Sequence, residues 1–145
     1  MTRERILPAG WEISEPFDSN SAIVSVAAGA GVNATVPQLL TSLVIPPAAR
    51  VYIERIYFRN VDNAQYDQLR FALRHKGYAI PPWDRISGEQ IFDAEHYIEV
   101  GRTFEGGLLE IVSTNISGTA ETGAGESTAI RVIARWYGYL LRRNS

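Results

Sequence analysis

The sequence predicts an all-β fold: a single-domain antiparallel β-sandwich or jelly roll over residues 22–145, preceded by an extended N-terminal arm, residues 1–21. Three observations point there. From residue 22 onward, turn chemistry recurs at the spacing of many short strands. The segments between turns are rich in β-branched and aromatic side chains and tend to alternate in polarity. No stretch is a confident amphipathic helix, and no internal repeat stands out. At 145 residues the chain is one domain, able to bury a core without staples.

The arm carries Pro8, Gly10, Pro16 and a polar Asp18-Ser19-Asn20-Ser21 run with no sustained period, so it reads as extended chain or loop. It also carries Ile6, Leu7, Trp11, Ile13 and Phe17, more apolar groups than a solvated tail needs. Such an arm should lie against its own domain or a neighbouring subunit. Ala22 to Ala28 reads as a first strand, ended by Gly29-Ala30-Gly31. Leu39 to Ile45 reads as a second, closed by Pro46-Pro47. In Arg50 to Arg59 the apolar phase slips from Val51 and Ile53 to Ile56 and Phe58, which predicts a β-bulge near Glu54-Arg55.

Asn60 to Asn63 supplies a turn, and Gln68 to His75 then alternates, with Leu69, Phe71 and Leu73 inward and Lys76-Gly77 turning the chain. Residues 79–96 read as a surface excursion with short strand pieces. Tyr97 to Val100 and Leu108 to Thr114 read as two strands separated by Gly106-Gly107, and Thr119 to Thr128 as a mobile polar loop. Ala129 to Leu141 fits either a helical stripe or a strand face. Gly138 and the β-branched content favour the strand.

Composition narrows the function classes. Fourteen basic against 16 acidic residues leave a formal charge of -2, without the positive field that coating a nucleic acid requires. The absence of cysteine excludes a disulfide scaffold, a thiolate zinc site and a cysteine nucleophile. No run approaches 18 apolar residues, so no membrane partner is expected, and no signal-like apolar segment follows the N-terminus. Lys76 is the only lysine among the basic residues. Arginine's planar fork suits interface ion pairs, although an arginine-rich codon usage would give the same bias.

Catalytic motifs are sparse. Gly29-Ala30-Gly31-Val32-Asn33-Ala34 formally matches a dinucleotide fingerprint, but Thr35-Val36-Pro37 opposes the helix that such a site needs. His75 and His96, the latter near Asp93, Glu95 and Glu99, lack metal-ligand spacing. There is no G-x-S-x-G elbow. Asn33-Ala34-Thr35 and Asn115-Ile116-Ser117 match the glycosylation pattern by chance. The expectation is a protein with no enzymatic activity, no cofactor and no metal.

What remains is aromatic contact chemistry. Tyr78, Trp83 and Arg85 sit with Asp84 in a loop stiffened by Pro81-Pro82. Aromatic rings there could stack on sugar faces, Trp, Tyr and Arg could form a protein–protein hot spot, or Trp83 could plug the end of the sandwich. The candidate partner-binding residues are therefore Ile6, Leu7, Trp11 and Phe17 of the arm, with Tyr78, Trp83 and Arg85 of the loop.

Val44-Ile45-Pro46-Pro47-Ala48-Ala49, then Arg50 to Asn60, then Gln68 to Arg74, resembles a pattern of small β-sandwich proteins of tailed-phage virions. Those proteins show an apolar strand and Pro-Ala/Gly turn, an aromatic β-branched strand ending in Asn, and a returning strand before a Gly turn. The resemblance covers about a quarter of the chain. It implies a capsid decoration (cement) protein on the virion surface, made in the host cytoplasm and often trimeric. Its partners would be the major capsid protein and further copies of itself. A tail or connector protein, or a carbohydrate-binding module, would use a similar sandwich.

Overall fold

Two long strands organise the chain. In the computed structural model, which describes residues 7–20, 24–26, 37–60, 69–87, 95–115 and 130–143, every regular element is a strand. In chain order these are β1 (Trp11–Asn20), β2 (Val24–Val26), β3 (Gln38–Asn60), β4 (Leu69–His75), β5 (Tyr78–Ala79), β6 (Ile86–Ser87), β7 (Glu95–Asn115) and β8 (Ile130–Arg143). They form one antiparallel sheet in the order β1-β8-β3-β7-β4-β5, with β2 added to β8 and β6 to β4. The fold is therefore all-β. Of the expected first strand, 22–28, only Val24–Val26 is described. The turns at Gly29–Gly31 and 61–63 and the loop 119–128 lie outside the described residues.

β3 and β7 pair from Gln38↔Ser113 to Arg59↔Glu95. The sequence suggests breaks at Pro46-Pro47 and at Gly106-Gly107; the structure makes both parts of one bend. They lie opposite each other: the register jumps between Ile45 and Arg50 on β3 while β7 advances from Gly107 to Glu105. Ala48 (φ 65), Gly106 (φ 56) and Gly107 (φ 85) take left-handed backbone there. Pairing thus resumes beyond the irregularity, and the two strands turn together.

Each side of the bend recruits a different neighbour. β4 pairs with β7 from Leu109 to Asn115, and β8 pairs with β3 from Val51 to Asn60. The apolar faces of both halves meet in one core that includes Leu69, Phe71, Leu109, Ile111, Ile53, Ile56 and Trp136. The Phe58 ring, from the β3–β8 half, packs 4.5 Å from the Phe71 ring of β4. Burying a large apolar side chain stabilises by about 1.5–3 kcal/mol, so the bend lets both half-sheets shield their apolar faces together.

The predicted bulge is present, with the register shifting between Ile53 and Arg55 against both neighbours. It keeps Val51, Ile53, Ile56 and Phe58 all buried despite the phase slip in the sequence. In β4, Leu69, Phe71 and Leu73 are buried and the residues between them are not. β8 is a strand: Val132, Ala134 and Trp136 are buried. Lys76 (φ 54) and Gly77 (φ 84) make the two-residue left-handed turn that matches strand twist in a β4–β5 hairpin.

Residues 11–20 of the arm are an edge strand paired with β8 from Trp11↔Arg143 to Asn20↔Arg135. Its pairing with β8 shifts register between Ile13 and Glu15. Pro16, which lacks a donor, is tolerated because β1 is at the edge of the sheet.

Candidate interaction surface

The bulge that keeps the core phase also fixes what faces outward from β7, β3 and β8. Register places Tyr97, Tyr57 and Arg135 in one row across these strands, and Glu99, Arg55 and Tyr137 in the next. A third row is Thr103, Tyr52 and Tyr139, in which Tyr52 is buried. Tyrosine and arginine thus occupy neighbouring positions on three strands.

They contact each other directly. The Arg135 guanidinium lies 4.3 Å from the centre of the Tyr57 ring. The Arg55 guanidinium lies 5.0 Å from that of Tyr97 and 5.8 Å from that of Tyr137. The Tyr57 and Tyr97 rings are 5.8 Å apart, those of Tyr137 and Tyr139 5.9 Å apart. Arg55 Nη1 donates to the Tyr57 hydroxyl at 3.4 Å. That bond, helped by the nearby charge of Glu54, raises the Arg55 pKa above its ordinary value against the opposing effect of partial burial. An arginine guanidinium is a cation throughout the physiological range, so the strip keeps its positive charges. Each cation–π contact is worth about 0.5–1 kcal/mol where solvent reaches it, so the set holds long side chains in fixed poses.

Trp11 extends the same chemistry at the start of β1. Its ring lies 4.7 Å from the Arg50 guanidinium and 5.4 Å from that of Arg143. Arg50 pairs with Glu105 at 3.1 Å, and Arg142 with Glu12 at 2.9 Å. The resulting strip is rich in Tyr, Trp and Arg, the residues that dominate protein–protein hot spots. It carries acids of its own and so lacks the single-sign field that phosphate backbones select.

The residues singled out in the sequence are distributed differently. Trp11 stands on this strip. Leu7 is half-buried, Ile6 lies outside the described residues, and Phe17 is described only as a backbone partner of Gly138. In the 78–85 loop, Tyr78 is 77% exposed. Trp83 is half-buried, packs on the core with Ile80, and donates its indole N–H to the Glu99 carbonyl at 3.0 Å. The loop is pinned by backbone bonds from Leu73 to Trp83 and from Ile80 to Leu73. Packing on the core and the indole bond are what the plug role requires of Trp83. Arg85 is exposed and lines a groove of about 250 Å³ with Arg70, Arg74, Asp84 and Thr114. The loop and the strip therefore present separate sets of groups.

The sequence analysis missed Tyr57, Arg135, Tyr137 and Tyr139. A local signal existed: Arg135, Tyr137 and Tyr139 share one parity in β8, and Tyr57 shares a parity with Arg55 in β3. Only the register shows that the two sets coincide.

Among the described residues no group of three or more His, Cys, Asp or Glu side chains could hold a metal ion. His75, at 2.6 Å from the Gly106 carbonyl and edge-on to Phe104, braces the bend. Asn115, one of the two matches to the glycosylation pattern, is buried, and Asn33 lies outside the described residues. No helix among the described residues is long and apolar enough to cross a membrane. Compared with known families and curated proteins, the chain matches no family model and no curated relative.

Proposed function

We propose that this chain is a non-enzymatic structural protein that works by protein–protein contact through the Tyr/Arg strip of β7, β3 and β8. The observation that carries the reading is the interlocked set Tyr57, Tyr97, Arg55, Arg135 and Tyr137, with rings and guanidinium groups 4.3–5.8 Å apart. Such a set is already rigid before binding, so little side-chain entropy remains to be lost when a partner covers it. The doubled-over sheet acts in this reading as an antiparallel sandwich of the jelly-roll kind, a stiff support for one adhesive face.

The resemblance of residues 44–74 to small virion proteins supplies the proposed setting: a decoration protein that binds the major capsid protein lattice and stabilises the head, as a homo-oligomer. The role fits a Tyr-, Trp- and Arg-rich surface with mixed charge. The test is co-sedimentation of the purified chain with empty capsid shells of the same virion. Tyr57→Ala/Arg135→Ala should stay in the supernatant while keeping the wild-type far-UV spectrum. Equal pelleting of variant and wild type would refute the strip's role.

A further inference from the structure

The outward face of β4 carries a cluster that the strip does not share. Leu69, Phe71 and Leu73 are buried, so Arg70, Ala72 and Arg74 stand on the opposite face of the strand. Four neighbours surround Ala72. Val112 of β7 is its direct partner on one side. On the other side β6 pairs Ser87 with Arg70 and Ile86 with Phe71, and the same register carried one residue further sets Arg85 opposite Ala72. A backbone bond of 2.8 Å from the Leu73 N–H to the Trp83 carbonyl holds that turn against β4. Arg70 and Arg74 lie two places before and after Ala72 on its own strand. Same-face neighbours along a strand are about 7 Å apart, and cross-strand partners about 5 Å. Ala72, with only a methyl group, is thus the floor between three arginines, and all four residues line the groove of about 250 Å³.

The walls fix the chemistry of what enters. Val112, Ala79 and Pro37 make part of the lining apolar. Among the described residues two acids accompany the three arginines: Asp84 in the groove, and Glu110, which stands opposite Arg74 on β7. The surplus is a single positive charge, the complement of one carboxylate and too little for a phosphate dianion. Arg70 Nη1 donates to the Leu69 carbonyl at 2.9 Å. A guanidinium carries more N–H donors than one such bond uses, so the bond sets its pose without exhausting it. The planar fork of each arginine matches the two oxygens of a carboxylate.

We infer that this groove is a binding site for a carboxylate on an apolar stem, the side chain of a glutamate in a segment of a partner protein. The surplus charge selects the carboxylate, and the apolar lining receives its methylene groups and the residues beside it. This goes beyond the strip reading and does not depend on it.

The test is a nuclear magnetic resonance titration of the isotope-labelled full chain with a capped leucine–glutamate–leucine peptide. The amides of Ala72, Arg74, Arg85 and Thr114 should shift and saturate. The same peptide with glutamine in place of glutamate should bind about tenfold more weakly or worse, because it forfeits hydrogen bonds to a charged group. Arg85→Gln should weaken the glutamate peptide to a similar degree, and Arg85 is exposed, so the change leaves the core intact. Inorganic phosphate should give no saturating shift at these amides. Equal binding of the two peptides, no shift in the groove, indifference to Arg85→Gln, or saturable phosphate binding there would each overturn the site. Failure of the chain to bind capsid shells would overturn the decoration reading alone, so the two outcomes are separable.

Discussion

Replacing Gly138 by Ala should cost this protein a large share of its stability. Gly138 pairs with Ile53 on one side and with Phe17 on the other, at the place where the bulge draws β3 against β8. A Cβ at Gly138 would stand 2.2 Å from the Tyr52 carbonyl oxygen and 3.1 Å from the Ile53 Cα. An unstrained carbon–oxygen contact is about 3.3 Å, so β3 and β8 would have to part by roughly 1 Å. Both obstructing groups are backbone and cannot swing aside. Overpacking of this kind costs about 1–3 kcal/mol, and loosening one or two neighbouring strand hydrogen bonds adds about 1 kcal/mol each. A total near 3 kcal/mol corresponds to a drop of roughly 10 °C in melting temperature for a chain of this size. Differential scanning calorimetry measures it. Gly77→Ala is the control, because a Cβ there meets nothing within 4 Å and only the left-handed φ of +84° is strained. It should cost about 1 kcal/mol. If Gly138→Ala melts within a degree of the wild type, Gly138 is not pressed against Tyr52 and the register of the outward rows is wrong.

Further outcomes follow from the same geometry. Phe58→Ala opens a cavity where the two half-sheets meet against Phe71, and should destabilise by about 3–5 kcal/mol in urea titration. Trp83→Ala should lower stability by about 1–3 kcal/mol, because it removes core packing and the bond to the Glu99 carbonyl. Any glycan binding by the intact chain that vanished in a fully stable Trp83→Ala variant would contradict the plug. Deleting residues 1–17 strips most of β1 from β8, so the truncated chain should melt lower than the wild type. Trp11→Ala, which leaves the strand in place, is therefore the cleaner probe of that end of the strip.

What could be read without coordinates was whatever one strand announces by itself. The alternation of Leu69, Phe71 and Leu73 marked β4, and the slip between Ile53 and Ile56 marked the bulge. Gly138 and the β-branched residues favoured a strand at the C-terminus. Features that depend on two distant segments were hidden. Pro46-Pro47 and Gly106-Gly107 look like strand ends separately and become a bend only when set opposite each other. β1 is hidden because Pro8, Gly10, Pro16 and the polar 18–21 run read as loop chemistry, while its pairing with β8 depends on a distant segment. The surface was legible in residue type more than in place. Trp, Tyr and Arg stand out in the sequence as contact-forming types, but only the register gathers Tyr57, Arg135 and Tyr137.

The central claim is that the Tyr/Arg strip is the contact face, and hydrogen exchange of the chain bound to empty capsid shells tests it most directly. Added protection is expected at residues 54–57, 97–103 and 135–139 relative to the free protein, with the 78–85 loop unchanged. Protection confined to the loop, or none on any of the three strands, would contradict it.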